Sequence, residues 1–330
     1  MIIKRLTIIL FFVFSQAQAD EIEQRRKIVE SVGQMMHQQD FSGLEKMAAD
    51  FRSNQERTSS GVWKLTFFYI AVSMNAKSSI SVKPYWDWVF KITNNWLLAY
   101  PDSPVAYIAK SIVLYNKARS IKKQSGFDLD EAKAKAMYSE YIALSKSILT
   151  ENYSVVSKDP HMFTMLVKLS KVQGGGAKGF ITMIDDAFNK HPYYYQTYFD
   201  AISYLSPRWH GNSLYVEEFA NAAVEHTKAK EGNAMYARIY WVASSVHYGT
   251  RLFTDSHVIW DKMRKGIDDV VASYPDKWNI NNFAYFSCLA EDKKMTRKLL
   301  SMMKERPMKN VWKKIDTYNA CKQWAFDGAI

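Results

Sequence analysis

The chain has 330 residues, a formal net charge of +11, and 48% hydrophobic and 15% aromatic residues. This composition excludes a disordered or collagen-like chain, and the length is sufficient for a large core in one or two units. The excess of Lys and Arg favours acidic partners such as an anionic surface or a cell-wall polymer.

The first 19 residues have the pattern of a secretory signal. Lys4 and Arg5 precede an apolar run over 6–14, and Ala17-Gln18-Ala19 has the small-x-small pattern of a cleavage site. The apolar run is shorter than the roughly 20 residues that span a bilayer. We therefore expect a signal peptide over 1–19, cleaved between Ala19 and Asp20. The mature chain is expected in the periplasm or outside the cell, with no transmembrane segment and no nucleic-acid partner.

The mature chain, 20–330, is predicted to be one helical domain, because apolar residues recur at spacings of three and four. Few glycines or prolines interrupt this pattern. The predicted helices are, in order, 20–39, 41–51, 61–75, 84–100, 104–121, 128 or 130 to 151, 160–172, 180–190, 194–205, one beginning near 213, 231–248, 256–274, 278–290, 292–304 and 308–326.

A weak internal repeat favours stacked helical pairs. Tyr100-Pro101, His191-Pro192 and Tyr274-Pro275 each end one predicted helix before the next begins. Pro275 and Pro307 are 32 positions apart, which is about the length of one tetratricopeptide unit. Because each helical pair can bury its apolar face on the next pair, we predict an all-α, tetratricopeptide-like α-α superhelix rather than a four-helix bundle.

The centre of the chain is predicted to contain a helix, a stiff corner and a second helix. Tyr194, Tyr198, Ala201 and Leu205 share one helical face. Pro207 cannot continue that helix. Gly211 is predicted to adopt the left-handed conformation of a tight turn.

Within this corner, Arg208, Trp209, His210 and Asn212 are the candidate binding residues. In one interpretation they are displayed for a ligand. In the other, which we favour from sequence, Trp209 packs beneath the turn and Arg208 binds helix-end carbonyls or a carboxylate. Asn212 or Ser213 can cap the following helix. The exposed edge of the corner is then the first place to seek a partner.

Three segments are notable together: Gly61-Val62-Trp63-Lys64-Leu65, the corner with its flanks from Tyr204 to Asn212, and Phe283-Ala284-Tyr285. They resemble an uncharacterised family of exported bacterial proteins, classed as a domain of unknown function with a tetratricopeptide-like fold. The central segment of that family reads L-x-P-R/K-W-G-G-S, from which this chain departs at His210 and Asn212. The resemblance implies a helical-repeat fold and brings no established activity with it.

The two cysteines, Cys288 and Cys321, are predicted to form a disulfide, since an exported chain meets oxidising conditions. Cys288 shares a helical face with Ile280, Phe283, Ala284 and Ser287. Cys321 shares a face with Val311, Ile315, Tyr318 and Ala325. The alternative is a pair of buried free thiols.

No pattern of a metal, cofactor or catalytic site is present. The glycine-rich run over 174–179 lacks the strand and the Gly-Lys-Ser/Thr ending of a phosphate-binding loop. The seven histidines show no paired metal-ligand spacing. Adjacent carboxylates such as Glu217-Glu218 point in different directions on a helix.

We therefore expect a protein- or peptide-binding module of the cell envelope or the extracellular space, without cofactor or metal. Enzymatic activity is left open, and a binding role is favoured. The alternative is a cell-wall or carbohydrate-acting enzyme on the same α-superhelical scaffold, with an aromatic groove and a catalytic carboxylate.

Overall fold

A computed structural model describes residues 20–80, 82–124, 130–174 and 176–328. The predicted signal peptide therefore lies outside the described residues, as does Ala19 of its cleavage site. The regular structure within the described ranges is helical, apart from one isolated antiparallel bridge between Arg57 and Trp63. The predicted all-α class is confirmed.

The helices follow the predicted order closely. They are α1 (Glu21–Gln38), α2 (Phe41–Ser53), α3 (Lys64–Asn75), α4 (Lys83–Ala99), α5 (Pro104–Gln124), α6 (Glu131–Thr150), α7 (Tyr153–Val156), α8 (His161–Gln173), α9 (Ala177–Lys190), α10 (Tyr195–Leu205), α11 (Ser213–Glu231), α12 (Ala234–Ala243), α13 (Leu252–Asp255), α14 (Trp260–Ser273), α15 (Lys277–Leu289), α16 (Lys293–Met302), α17 (Lys309–Trp312) and α18 (Ile315–Phe326).

The helices stack as antiparallel pairs in a superhelix. An inner row runs through α3, α5, α8, α10 and α12, each helix packing on the next, while α4, α6, α9 and α11 lie outside the row. This arrangement confirms the predicted helical-repeat superhelix. Within the described ranges, every helix is too short or too polar to cross a membrane.

Aromatic rings fill the seams between neighbouring helices. Phe180 stacks on Tyr204 with ring centroids 3.7 Å apart, and Phe188 stacks on Tyr198 at 3.8 Å. Such pairs add to the large apolar area that each ring buries. The aromatic content therefore serves the stacking of the repeat.

The loop over 54–63, between α2 and α3, contradicts the predicted helix start at Gly61. The loop is mostly buried from Thr58 onward, and it contacts helices from both ends of the superhelix. Glu21 of α1 accepts hydrogen bonds from Ser60 N at 2.8 Å and from Thr58 Oγ1 at 3.0 Å. The Ser60 carbonyl accepts from Arg238 Nη2 of α12 at 2.6 Å and from Asn279 Nδ2 of α15 at 3.1 Å. We call residues 54–63 the closing loop.

Gly61 is needed at the tip of the closing loop. Its φ is +90°, and a Cβ there would lie 2.8 Å from the Tyr274 ring and 2.9 Å from Arg238 Nη2. Both the backbone conformation and the close approach therefore exclude a side chain. Gly61, Val62 and Trp63, which were among the residues of the family resemblance, therefore form a turn, and α3 begins only at Lys64.

The C-terminal part differs from prediction in where helices break. The predicted helix over 308–326 is divided at Lys313, whose φ is +58°. Ile315, predicted to face inward, is 58% exposed as a result. The predicted helix over 231–248 begins at Ala234 and ends in a π-helical turn over 244–248.

The predicted disulfide pairing is confirmed. Cys288 of α15 and Cys321 of α18 lie at bonding distance, with Cα atoms 6.0 Å apart. Closing a chain segment of this length contributes about 3–4 kcal/mol on the chain-entropy estimate. The bridge attaches the last helix to the repeat.

Candidate functional site

The corner between α10 and α11 comprises residues 206–212. His210 N donates to the Tyr204 carbonyl at 3.1 Å, which folds the backbone back on the end of α10. Gly211 is not in the left-handed region, contrary to prediction. Instead, a Cβ on Gly211 would clash with the carbonyl group of Leu205. Glycine is therefore required here because two backbone segments touch.

Trp209 does not pack beneath the corner, so the favoured sequence interpretation is wrong. Its side chain is 42% exposed. The neighbouring ring of His210 is also exposed, but it packs on Tyr204 with centroids 4.7 Å apart, and its Nε2 lies 3.0 Å from the Lys171 carbonyl. Lys171 Nζ in turn lies 4.9 Å from the centroid of the Trp209 ring.

The other two candidate residues have different roles. Asn212 is the N-cap of α11, where its Oδ1 accepts from Tyr215 N at 2.9 Å. Arg208 is exposed and makes no hydrogen bond or ion pair within the described residues. The corner therefore exposes to solvent the Trp209 ring and the Arg208 guanidinium group, which has no hydrogen-bond or ion-pair partner within the described residues.

A basic cavity of about 300 Å³ opens on the inner row beside the corner. It is lined by α3, α5, α8 and α10, which contribute three cationic side chains: Arg119, Lys168 and Lys171. Asp200 is the one carboxylate among the lining residues that the structure describes. It accepts from Gln196 Nε2 at 2.8 Å and lies 3.7 Å from Lys168 Nζ.

The cationic groups of this cavity are close enough to affect one another. Burial lowers the pKa of Lys171, Asp200 opposes that shift, and Arg119, Lys168 and Arg208 lower the pKa further. Mutual repulsion of this kind is relieved when an anion binds. The basic cavity, with Arg208 beside it, is therefore suited to acidic groups.

The wall of the cavity contains a buried polar network centred on His161. The His161 ring stacks on Tyr69 with centroids 4.1 Å apart, and its Nδ1 lies 2.8 Å from the Tyr194 hydroxyl. Tyr69 donates to Asp159 Oδ2, which also accepts from Arg52. Burial lowers the pKa of His161 well below its usual value, so the imidazole is neutral.

An apolar groove of about 370 Å³ lies on the other side of the corner, between α9 and α11. The stacked pair Phe180–Tyr204 lies along it, and Ile181 and Tyr215 stand at its margin. Ile181 is 56% exposed, which is unusual for a branched aliphatic side chain beside other apolar residues. The groove therefore has the character of a site for apolar side chains.

The corner joins the cavity to the groove. Lys171 lines the basic cavity and covers the Trp209 ring, whereas His210 binds the Lys171 carbonyl and lines the apolar groove. A ligand lying across the exposed face of Trp209 would meet cationic groups on one side and apolar groups on the other.

The sequence identified the corner as a candidate site but did not reveal the basic cavity or the apolar groove on either side of it. Arg119 of α5 and the pair Lys168 and Lys171 of α8 look like ordinary charged positions, and only the stacking of α5 on α8 brings the three together. Ile181 carried a weak signal, since it follows Phe180 in a helix that is otherwise amphipathic.

Comparisons with family models, with curated proteins and with solved structures find no match to this chain. Among the described residues, no group of three His, Cys, Asp or Glu side chains is placed to hold a metal ion.

Proposed function

We propose that this protein is an exported binding module of the cell envelope or extracellular space whose ligand is a protein or peptide segment with acidic residues next to apolar ones. The observation that carries the proposal is the corner, where Trp209 stands exposed between the basic cavity and the apolar groove. Exposed tryptophan and arginine side chains are the residue types that most often dominate binding energy at protein interfaces.

The acidic half of the ligand is argued from charge. Arg119, Lys171 and Arg208 have no carboxylate partner within the described residues, and Lys168 has only the more distant Asp200. Carboxylates of a ligand would pair with groups that repel one another in its absence. The chain as a whole carries a net charge of +11, which attracts the same kind of partner.

The apolar half is argued from exposed surface. Ile181 and Tyr215 are exposed at the margin of the groove, above the rings of Phe180 and Tyr204. Covering apolar surface of this kind stabilises a complex by about 25 cal/mol per Å² before the costs of association. A peptide with one or two large apolar side chains satisfies this geometry.

A cell-wall or carbohydrate-acting enzyme is less well supported. The apolar groove is lined by two carboxylates, Asp185 of α9 and Glu218 of α11, but both are exposed. Glycosidases of the usual kind need two carboxylates facing across the substrate. Among the described residues lining the basic cavity, Asp200 stands alone and is already bonded to Gln196 and Lys168. Asp159 lies nearby but is buried and committed to Arg52 and Tyr69. The cavity is therefore better suited to binding anions than to protonating a glycosidic oxygen.

The proposal is tested with fluorescently labelled synthetic peptides in which an acidic block precedes a Leu- and Phe-containing block. Fluorescence anisotropy should show saturable binding to the wild-type protein that weakens as salt is added. Lys171→Glu, Ile181→Glu and Trp209→Ala should each weaken binding about tenfold or more, since each removes a central contact.

Matched controls come from exposed residues elsewhere: Lys91→Glu on α4, and Ile315→Glu and Trp324→Ala on α18. These should leave the affinity unchanged. The proposal fails if the controls weaken binding as much as the corner variants, or if peptides of the same composition without the acidic block bind equally well.

A further inference from the structure

A third, smaller pocket of about 170 Å³ lies where the closing loop meets α1, α10, α12 and α15. Its inner end is formed by buried polar residues and its mouth by half-buried aromatic residues. The inner residues are Ser60, Arg238 and Asn279, and the mouth residues are Phe199, Trp241 and Trp278. It shares no lining residue with the basic cavity or the apolar groove.

Arg238 is a buried cation without an ion pair. Its side chain is 2% exposed, its Nη2 donates to the Ser60 carbonyl, and its Nε has no partner within the described residues. The nearby Glu231 is paired with Arg57 at 3.2 Å. The guanidinium group also lies over the rings of Tyr195 and Tyr274, with its carbon 5.1 and 5.6 Å from their centroids. These rings and the one carbonyl supply no counter-ion, and burying a charge without one is costly. An anion in the pocket would offset that cost.

Asn279 supplies an unused acceptor at the same inner end. Its Nδ2 donates to the carbonyls of Ser60 and Tyr274, at 3.1 and 3.0 Å. Two carbonyl neighbours fix the orientation of the amide, so the oxygen is the free atom. Asn279 is 0% exposed, and its Oδ1 has no partner within the described residues. A ligand with an N–H group would satisfy this atom.

The mouth of the pocket disfavours a cationic ligand side chain and favours an apolar one. Trp241 and Trp278 lie with ring centroids 6.0 Å apart, and Phe199 lies beside them. The face of Trp278 is already covered by Arg25, whose guanidinium carbon is 5.0 Å from the ring centroid. A cationic ligand side chain at the mouth would therefore meet Arg25, whereas an apolar side chain would meet three aromatic side chains.

We propose that this pocket binds an apolar α-amino-acid carboxylate, either as a free amino acid or as the C-terminal residue of a peptide. The carboxylate pairs with Arg238, an N–H of the ligand donates to Asn279 Oδ1, and the apolar side chain packs against Phe199, Trp241 and Trp278. The pocket is smaller than the roughly 300–1,000 Å³ of sites for drug-sized ligands, which limits the occupant to about one residue. This inference is independent of the peptide site at the corner.

The test uses four related probes and calorimetric titration of the wild-type full mature chain. N-acetyl-L-leucine offers both the carboxylate and the N–H group. N-acetyl-L-leucinamide removes the carboxylate, 4-methylpentanoate removes the N–H group, and free L-leucine distinguishes an amino acid from a peptide terminus. We expect N-acetyl-L-leucine or L-leucine to bind, and both the amide and 4-methylpentanoate to bind about tenfold or more weakly, a difference of about 1.4 kcal/mol.

Variants then assign the site without disturbing the buried polar residues. Val242 lines the pocket, so Val242→Phe should fill it and abolish binding, whereas Val82→Phe at an exposed position should leave binding unchanged. If L-leucine competes fully with N-acetyl-L-leucine, the ligand is a free amino acid. If only acylated compounds bind, the ligand is a peptide C-terminus. Equal binding of acid and amide, or no binding of any probe, overturns the proposal.

Discussion

His161 is the residue whose chemistry departs most from its ordinary behaviour. Buried between Tyr69 and Tyr194, it has a pKa well below its usual value. The unfolded chain binds a proton at this histidine below about pH 6.5, while the folded protein does not. The contribution of the neutral His161 to the free energy of unfolding should therefore be complete above about pH 6.5. On acidification below that pH, the free energy of unfolding should fall by up to about 1.4 kcal/mol per pH unit.

This prediction is checked by urea denaturation at a series of pH values from about 7 down to about 5. His161→Gln should lower stability at neutral pH, yet show a shallower loss on acidification than wild type. His257→Gln, at an exposed position, is the control and should keep the wild-type slope. An unchanged slope in His161→Gln would mean that another group accounts for the acid sensitivity.

Single residues also show where sequence reasoning reached its limit. The helical face of Tyr194, Tyr198 and Ala201 was predicted and is buried, because a local period of 3.6 residues determines it. Trp209 was assigned a buried position but is 42% exposed. At this corner His210 Nε2 lies 3.0 Å from the carbonyl of Lys171, 39 positions earlier, and no local pattern contains that contact.

Among the structural elements, the corner between α10 and α11 gives the sharpest stability test. Gly211→Ala would place a Cβ against the backbone carbonyl of Leu205, which cannot move without disturbing the end of α10. We expect a loss of about 1–3 kcal/mol, the usual cost of overpacking. Thermal and urea unfolding of the purified variant measure it.

Gly179→Ala provides the matched control. Gly179 lies within α9, and a Cβ there would meet nothing within 4 Å. Alanine should therefore be neutral or stabilise by about 0.5–1 kcal/mol, since glycine is a poor helix former. Equal losses in the two variants would show that the close approach at Gly211 is not what holds the corner.

Helix order and type were predictable because amphipathic periodicity and the Tyr-Pro or His-Pro breaks are local signals. The closing loop was not predictable. The residues Gly61-Val62-Trp63 have the pattern of a helix start. In the structure the loop that contains them is held in place by Arg238 and Asn279, which bind the Ser60 carbonyl. These two residues are 178 and 219 positions away from Ser60 in the chain. The basic cavity escaped prediction for a similar reason, since Arg119 of α5 joins Lys168 and Lys171 of α8 only through the packing of the two helices.

At the scale of the whole molecule, the closing loop makes the two ends of the superhelix interdependent. Open repeat arrays can unfold in stages because each unit contacts only its neighbours. Here Glu21 binds the loop and the loop binds α12 and α15. We therefore expect one calorimetric transition, with the calorimetric and van't Hoff enthalpies in agreement.

Glu21→Gln tests this coupling, because it removes a buried charge that accepts from the loop and pairs with Arg25. The melting temperature should fall, consistent with about 1–3 kcal/mol for a hydrogen bond to a charged group, while the transition stays single. Glu30→Gln, on the exposed face of α1, should leave the melting temperature unchanged. Two separate transitions in the wild type would contradict the coupling.

The same loop constrains the order of events as the chain emerges from the ribosome. Residues 54–63 are made early, yet their partners on α12 and α15 are among the later parts to be synthesised. Until then, the buried Ser60 carbonyl lacks both of the side chains that donate to it in the folded protein. The N-terminal helices can form but cannot reach their final packing, because contacts over so long a separation carry a large loop-closure cost. Completion of the fold therefore waits for almost the entire polypeptide.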